Sequence, residues 1–289
     1  MTSIAPTPRK VVLSVQRHES DECGLRYVYA VLSRRAGGVS VGINVSTTHE
    51  CNWRCVYCQV PNLGRGASPE VALDVLADEL RAVLDAAVAG TLFERSLPDE
   101  PVPAVVDVAF SGDGEATTSP NFADAVDAVA GVLREKSLAI PIVLITNGSQ
   151  VSHGRVRDAL GRLAKHGGRV WFKFDRATAA AMSDCNGTPL APDAHARRLR
   201  ECAALCPTWV QSCWFALDGA APSEDEITTW LAMLEGSVKS GVKLEGVQLY
   251  SLARPSMQPE APRLTALDRA WLAALAARVE ALGLRAVVA

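Results

Sequence analysis

The stretch "GINVSTTHECNWRCVYCQVPN", residues 42–62, places three cysteines, Cys51, Cys55 and Cys58, in the spacing C-x3-C-x2-C. The run that leads into them, Val39–Ser46, alternates with a period of two. Gly42, Asn44 and Ser46 fall on one face and Val41, Ile43 and Val45 on the other, as in a strand with one apolar side. The cysteines therefore follow the carboxyl end of a strand. In parallel α/β folds that end is where chemistry is placed. Three thiols with no fourth beside them raise the question of what they hold.

Outward from this stretch, short β-rich runs alternate with amphipathic runs of helical period. Glu70–Val88 reads as a helix on Leu73, Leu76, Leu80, Val83, Leu84 and Ala87. Strands are expected at Ala104–Phe110, Ile142–Thr146, Arg169–Phe174, Thr208–Phe215 and Leu244–Tyr250. Helices are expected from Ser119-Pro120 to Leu133 and over Arg155–Lys165 and Asp193–Leu205. Ser223 with Glu226, and Thr265 with Asp268, look like capping boxes opening two more helices. The second of these runs to about Gly283, and "RAVVA" (285–289) reads as a last short strand. Six βα units in series imply parallel strands with right-handed crossovers. An open doubly wound sheet and a barrel both satisfy that order. Residues 92–103 and 253–263 read as proline-rich loops. Residues 1–38, with "VVLSV" and "RYVYAVL", read as a β-rich N-terminal extension to a core domain spanning 39–289.

The chain has 289 residues, 48% hydrophobic and 21% charged, with a formal net charge of −3. That is an ordinary globular composition, long enough to bury a sizeable core. The charge balance argues against a broad nucleic-acid or anionic-membrane surface. No apolar run reaches the ~20 residues of a membrane span, and "MTSIAPTPRK" lacks the apolar centre of a signal peptide. The expectation is a cytoplasmic protein. Its eight cysteines are then ligands, catalytic groups or buried thiols rather than disulfides.

Three thiolates hold three corners of a [4Fe–4S] cube, whose closed form takes four cysteines. Three protein ligands leave one iron open, as catalytic metals keep an open position. A zinc knuckle is the competing reading. Zinc asks for a fourth ligand, and Cys23 is the spare thiol nearest in sequence before the cluster.

C-x3-C-x-aromatic-C, here Cys51, Cys55, Tyr57 and Cys58, resembles the signature of the radical S-adenosylmethionine (radical SAM) enzymes. Two later segments carry the resemblance further. "FSGDGEATTSPNF" (110–122) is similar to the family's Gly-Gly-Glu segment, with Ser111 and Gly112 leading into Asp113, Gly114 and Glu115. Asp113 stands where the first glycine of that segment often stands. "ITNGS" (145–149) is similar to a ribose-side segment through Thr146, Asn147 and Gly148, although Asn-Gly also suits a plain turn. The first two segments look closest to a compact subgroup that includes wybutosine-type tRNA modification enzymes.

The resemblance implies a partial (βα)6 TIM-type barrel. It implies S-adenosylmethionine (SAM) bound to the open iron through its methionyl amine and carboxylate. A reductant such as flavodoxin or ferredoxin would supply an electron, the sulfonium C–S bond would break, and a 5′-deoxyadenosyl radical would take hydrogen from a substrate the sequence does not identify. Glu115 and its neighbouring backbone would hold the methionyl amine. Asn147 would lie near the ribose hydroxyls, and Tyr57 would border the adenine.

Strand parity adds an argument independent of the family, because alternate barrel residues point inward. Lys173 with Asp175, Gln211 with Cys213, and Gln248 with Tyr250 share faces near the ends of three strands. Lys173, Asp175 and Tyr250 are candidate catalytic groups. Lys173, Gln211 and Gln248 are candidate cofactor contacts. Lys173 and Asp175 also read as a structural ion pair. Cys185, Cys202, Cys206 and Cys213 read either as ligands of a second cluster or as buried thiols, with Cys202 and Cys206 on one helical face. His18 is expected to be an ordinary loop histidine. Arg34-Arg35 and Arg197-Arg198 are expected to be solvated charges, and Arg254 is a candidate anion contact. Three functions fit these features: a radical SAM enzyme acting on a small molecule or nucleoside, an activase that installs a radical on a partner protein, and an iron–sulfur electron-transfer or sensor protein.

Overall fold

The computed structural model describes residues 6–12, 23–33, 35–93 and 103–289. Among them the strands are β1 (Val28–Ser33), β2 (Gly38–Ile43), β3 (Glu50–Cys51), β4 (Gly64–Arg65), β5 (Val105–Phe110), β6 (Ile142–Thr146), β7 (Arg169–Lys173), β8 (Thr208–Cys213), β9 (Phe215–Leu217), β10 (Gly246–Tyr250), β11 (Leu264–Ala266) and β12 (Ala286–Val288). The helices are α1 (Leu73–Val88), α2 (Phe122–Glu135), α3 (Gly154–Lys165), α4 (Ala179–Asn186), α5 (Pro192–Ala203), α6 (Glu224–Lys239) and α7 (Arg269–Glu280).

The main sheet has eight strands in the order β1-β2-β5-β6-β7-β8-β10-β12. β1 runs antiparallel to β2, and the other pairs are parallel. From β2 onward the strands lie in chain order. A doubly wound sheet reverses at a switch point, and this one never does. Right-handed crossovers that always step the same way put the helices on one face. The sheet accordingly curls into a half-barrel, the partial TIM barrel expected. The "RAVVA" segment supplies β12, a further parallel strand beside β10.

The period-two pattern sorts the two faces. Val41 and Ile43 of β2, Val108 and Phe110 of β5, Leu144 of β6, Phe172 of β7 and Leu249 of β10 join the main core with Leu76, Leu80 and Leu84 of α1. On the concave face Ala109, Val143, Trp171 and Trp209 form a separate apolar floor, against which Ala36, Ile145 and Val287 pack. Asn44 lies beyond the last paired residue of β2. Its Oδ1 accepts from Ser46 N (3.0 Å) and Asp113 N (3.2 Å), so the chain already turns toward the cysteine loop there.

The helix caps follow the sequence in one case and depart from it in others. Ser223 caps α6, accepting from Glu226 N (3.2 Å). Ser119 does not cap α2: its Oγ donates to Pro69 O (2.7 Å), it closes a 3-10 turn over Ala116–Thr118, and α2 begins after Asn121. α7 is capped by Asp268, which accepts from Trp271 N (2.7 Å), whereas Thr265 pairs in β11 with β9. α4 has no counterpart in the periodicity. Its sequence, AAAMSDCN, has no apolar repeat, and Thr178 Oγ1 accepts from Ala181 N (3.2 Å) at its start.

β1 is fastened by one acid. Glu79 of α1 is buried, and its carboxylate accepts from Arg26 N (2.9 Å), Tyr27 N (2.8 Å) and Val28 N (3.2 Å). Of "VVLSV", Val11 is buried and bridges to Phe93, and Leu13 to Val15 lie outside the described residues, as do His18 and Arg34. Removing the Glu79 acceptor leaves buried donors unmet, at about 1–3 kcal/mol each. Glu79→Ala should lower the unfolding free energy by about 3 kcal/mol in a urea titration, and Glu79→Gln by less. An unchanged midpoint for Glu79→Ala would show that β1 is held by other means.

Candidate active site

The concave face and the loops at the carboxyl ends of its strands enclose a cavity of about 320 Å³. Cys51, Cys55, Tyr57 and Cys58 form one part of its wall, and Ser111 to Glu115 with Thr146 and Asn147 form another. Lys173, Gln211, Cys213 and Tyr250 face it from β7, β8 and β10. The three sequence segments and the inward strand positions thus meet in one space.

The cysteine loop has little regular structure, and neighbouring segments hold it. Arg54 N and Val56 N donate to Asn186 O (3.0 Å) and Cys185 O (2.9 Å) at the end of α4. Ser256 Oγ donates to Val56 O (2.7 Å), and Gln258 Nε2 to Val60 O (2.9 Å). Arg54 pairs with Glu260 (3.1 Å). Asn147 Nδ2 donates to Asn52 Oδ1 (2.9 Å), and Asn52 Nδ2 donates to Ser149 Oγ (2.6 Å), so the loop is also tied to the end of β6.

Glu115 is buried and ties two segments together. Its Oε1 accepts from Thr146 Oγ1 (2.6 Å) and from Thr117, while Oε2 accepts from Asn147 N (2.7 Å). Oε2 keeps a second lone pair for another donor. Gly114 is required by close approach, because a Cβ there would stand 2.1 Å from Glu50 O. Asp113 accepts from Asn44 Nδ2 (2.7 Å) and so anchors its segment to the end of β2.

Asp175 is buried just past the end of β7, outside the cavity lining. It accepts from Asn186 Nδ2 (2.8 Å), Cys213 N (2.8 Å) and the Tyr57 hydroxyl. Lys173 makes no ion pair with it within 4 Å; the ammonium stands 4.9 Å from the Tyr57 ring centroid. Burial works against the Lys173 ammonium, but Cys55, Tyr250, Asp175 and Cys58 outweigh it and raise its pKa well above the ordinary lysine value. Burial also raises the Tyr250 hydroxyl.

Three cysteines on one cavity wall match in kind and number the donors of a cluster that keeps one iron open. In a cube each thiolate holds a different iron, and all three cysteines line the cavity wall. Among the described residues no three His, Cys, Asp or Glu converge as ligands of one metal ion. Cys23, the fourth ligand a zinc knuckle would need, is buried in the main core. Burial pushes the Cys51 thiol up to about 12 and raises Cys55; a bound cationic centre reverses that preference and deprotonates such thiols.

The remaining expectations separate. Cys202 and Cys206 lie in the main core, whereas Cys185 and Cys213 pack with the cysteine loop, so the four form no single site. Cys206 also lies beyond the end of α5. Gly148 and Gln248 are not part of the lining, and Arg254 is. Arg197 is exposed beside Glu201, and Arg35 is half-buried, lines the cavity and donates to Gln211. Asn52, Asn186 and Arg35 are the participants that the sequence reading misses. Asn52 lies inside the cysteine motif, whereas nothing in the local pattern marks the other two.

No model of a known protein family matches the chain, and no curated protein does. Solved structures do. A radical SAM methyltransferase from Sphaerobacter thermophilus superposes with a TM-score of 0.60 at 15% identity, over 91% of this chain and 68% of that one. TYW1 with a lysine-pyruvate adduct bound gives 0.54 at 14% identity, over 84% and 73%. The enzyme anSMEcpe with bound AdoMet gives 0.53 at 14% identity, over 86% and 63%. At these identities the likeness is one of fold: the chain has the half-barrel fold of radical SAM enzymes.

Asp175→Ala would leave the Tyr57 hydroxyl, Asn186 Nδ2 and Cys213 N without their acceptor. The expected cost is about 3 kcal/mol in urea unfolding, with proteolytic cleavage appearing first around residues 51–58. Wild-type stability and an intact loop would remove Asp175 from this role.

Proposed function

We propose that the chain is a radical SAM enzyme acting on a small substrate. The observation that supports this most is the meeting of Cys51, Cys55 and Cys58 with Gly112 to Glu115 and Thr146-Asn147 around one cavity at the carboxyl ends of the strands. A bound [4Fe–4S] cluster would supply the electron that splits the sulfonium bond of SAM and so gives the radical that abstracts hydrogen from the substrate.

Cys51, Cys55 and Cys58 would hold the cluster. The free lone pair of Glu115 Oε2 suits the methionyl ammonium, since a charge-assisted bond needs an acceptor already fixed in place. Asn147 reaches the same wall and suits the ribose hydroxyls. Tyr57, pinned through its hydroxyl to Asp175, presents its ring as an apolar border. Lys173 adds positive charge beside the cysteine loop, which favours an electron-rich, thiolate-bound centre. Tyr250 and Cys213 face the substrate space. The protein contributes positioning and exclusion of water, and the cofactor carries the difficult chemistry.

Anaerobic reconstitution followed by iron analysis and assay of 5′-deoxyadenosine from SAM and dithionite tests this reading. About four irons per chain are expected. Cys55→Ala should abolish both the cluster and SAM cleavage, and retained cleavage would overturn the assignment. Glu115→Ala should weaken SAM binding while the cluster's absorbance persists. Cys213→Ala should leave the iron content unchanged; loss of iron would make Cys213 a fourth ligand and close the open corner. Cluster redox activity without any SAM cleavage would leave an electron-transfer or sensor protein.

A further inference from the structure

The turn between β1 and β2 lies at the amino end of the parallel strands, opposite the cysteine loop. Ala36 of this turn packs on the floor formed by Trp171, Trp209 and their neighbours. Arg35 beside it extends into the cavity. Its Nη1 donates to Gln211 Oε1 (2.6 Å), and its guanidinium carbon stands 5.3 Å from the Trp171 ring centroid and 5.0 Å from that of Tyr250. A guanidinium is a planar fork of five donors, and Gln211 occupies one of them. No carboxylate among the described residues lies within 4 Å of Arg35. Gln211 is fully buried, and its Nε2 has no hydrogen-bond partner. An unmet buried N–H is costly; Gln248 Oε1, opposite Gln211 in the strand register, is also unmet, so the two amides share one unsatisfied polar spot beside the Arg35 guanidinium.

We propose that Arg35 and Gln211 form a carboxylate-binding subsite on the cavity floor, so that the substrate is a small organic acid. This rests on the radical SAM reading, which assigns the opposite end of the cavity to the cofactor segments. A carboxylate is planar and singly charged and pairs with the guanidinium fork through two parallel bonds. Gln211 Oε1 holds the guanidinium through Nη1 and so fixes the direction in which the remaining donors point. The Trp171 and Tyr250 rings, with centroids 5.3 Å and 5.0 Å from the guanidinium carbon, limit where it can swing. A phosphate carries close to two charges and is the competing anion, which the titration below separates from a carboxylate. The floor lies inside the half-barrel, so it suits a small free acid and not an acid group on a macromolecule.

The test is calorimetric titration of the reconstituted full chain, with tryptophan fluorescence as a second reading. The probes are propionate, alanine and 2-oxobutyrate, each against its primary amide, and inorganic phosphate. At least one acid should bind at least roughly tenfold tighter than its amide. Arg35→Gln should erase that preference. Gln211→Glu, which sets a carboxylate of the protein against the guanidinium, should erase it too and carries the test if Arg35→Gln fails to fold. Acid and amide bound alike, phosphate preferred to every acid, no binding of any acid, or a preference that survives in either folded variant overturns the subsite. The titrations need no SAM cleavage. If the wild-type protein shows the acid preference but forms no 5′-deoxyadenosine, the subsite stands and the radical SAM reading falls; deoxyadenosine without an acid preference gives the reverse.

Discussion

A buried carboxylate, Asp175, fixes where the cysteine loop stands. Its three donors come from three separate segments: Tyr57 in the loop, Asn186 at the end of α4 and the backbone of Cys213 at the end of β8. A polar group buried this deeply is expensive unless its lone pairs are met, and here they are. The same bonds that make the carboxylate tolerable leave the loop little freedom. Asn186 carries the constraint one step further, because its Nδ2 also lies 3.4 Å from Cys55 Sγ. The loop is therefore shaped by its surroundings before any cofactor arrives, which is what a precise site requires of its supporting contacts.

Glu115 repeats the logic on the other wall, joining the end of β5 to the end of β6. Asp113 is likewise bonded to Asn44. The acids of the lining are thus used largely to hold segments in place. Among the described residues the acids that line the cavity are Asp113 and Glu115, and both are bonded to neighbouring segments. The cavity-facing groups from β7, β8 and β10 are instead an ammonium, an amide, a thiol and a phenol: Lys173, Gln211, Cys213 and Tyr250. Such a set can bind and orient a small polar ligand.

The parts of this site that could be read from the residues share one property: a local period or motif marks them. The period of two sends Lys173, Gln211, Cys213 and Tyr250 inward and Phe172 and Val210 outward, and the faces sort that way. Whether the sheet curls or lies open depends on the order of strand neighbours, which no local pattern encodes; the family resemblance carried that expectation. Asp175 shows where parity stops. It lies past Lys173, the last residue of β7, so the alternation no longer dictates where it points. Cys202 and Cys185 illustrate the same limit, since one thiol joins the main core and the other packs by the cysteine loop. Their surroundings are decided by tertiary packing alone.

β2 and its flanks run the full height of the cavity. The turn before β2 brings Arg35 to the floor, and the loop after it brings the cysteines to the rim. β1 is more than an edge strand beside it. Tyr29 crosses over Gly42 of β2, where a Cβ would stand 2.1 Å from the ring, and its hydroxyl meets Ser111 Oγ at 2.8 Å on the far side. A phenol from the N-terminal hairpin thus touches the start of the Ser111 to Glu115 segment. Burial raises that hydroxyl to about 12, so at neutral pH it remains a neutral hydrogen-bonding group. Through Glu79, α1 anchors β1; through Tyr29 and Arg35, the hairpin reaches two walls of the cavity. The N-terminal residues that look like an addition to the barrel are in this way part of the site's construction, and a change at Gly42 would be felt at Ser111 without altering either segment's own sequence.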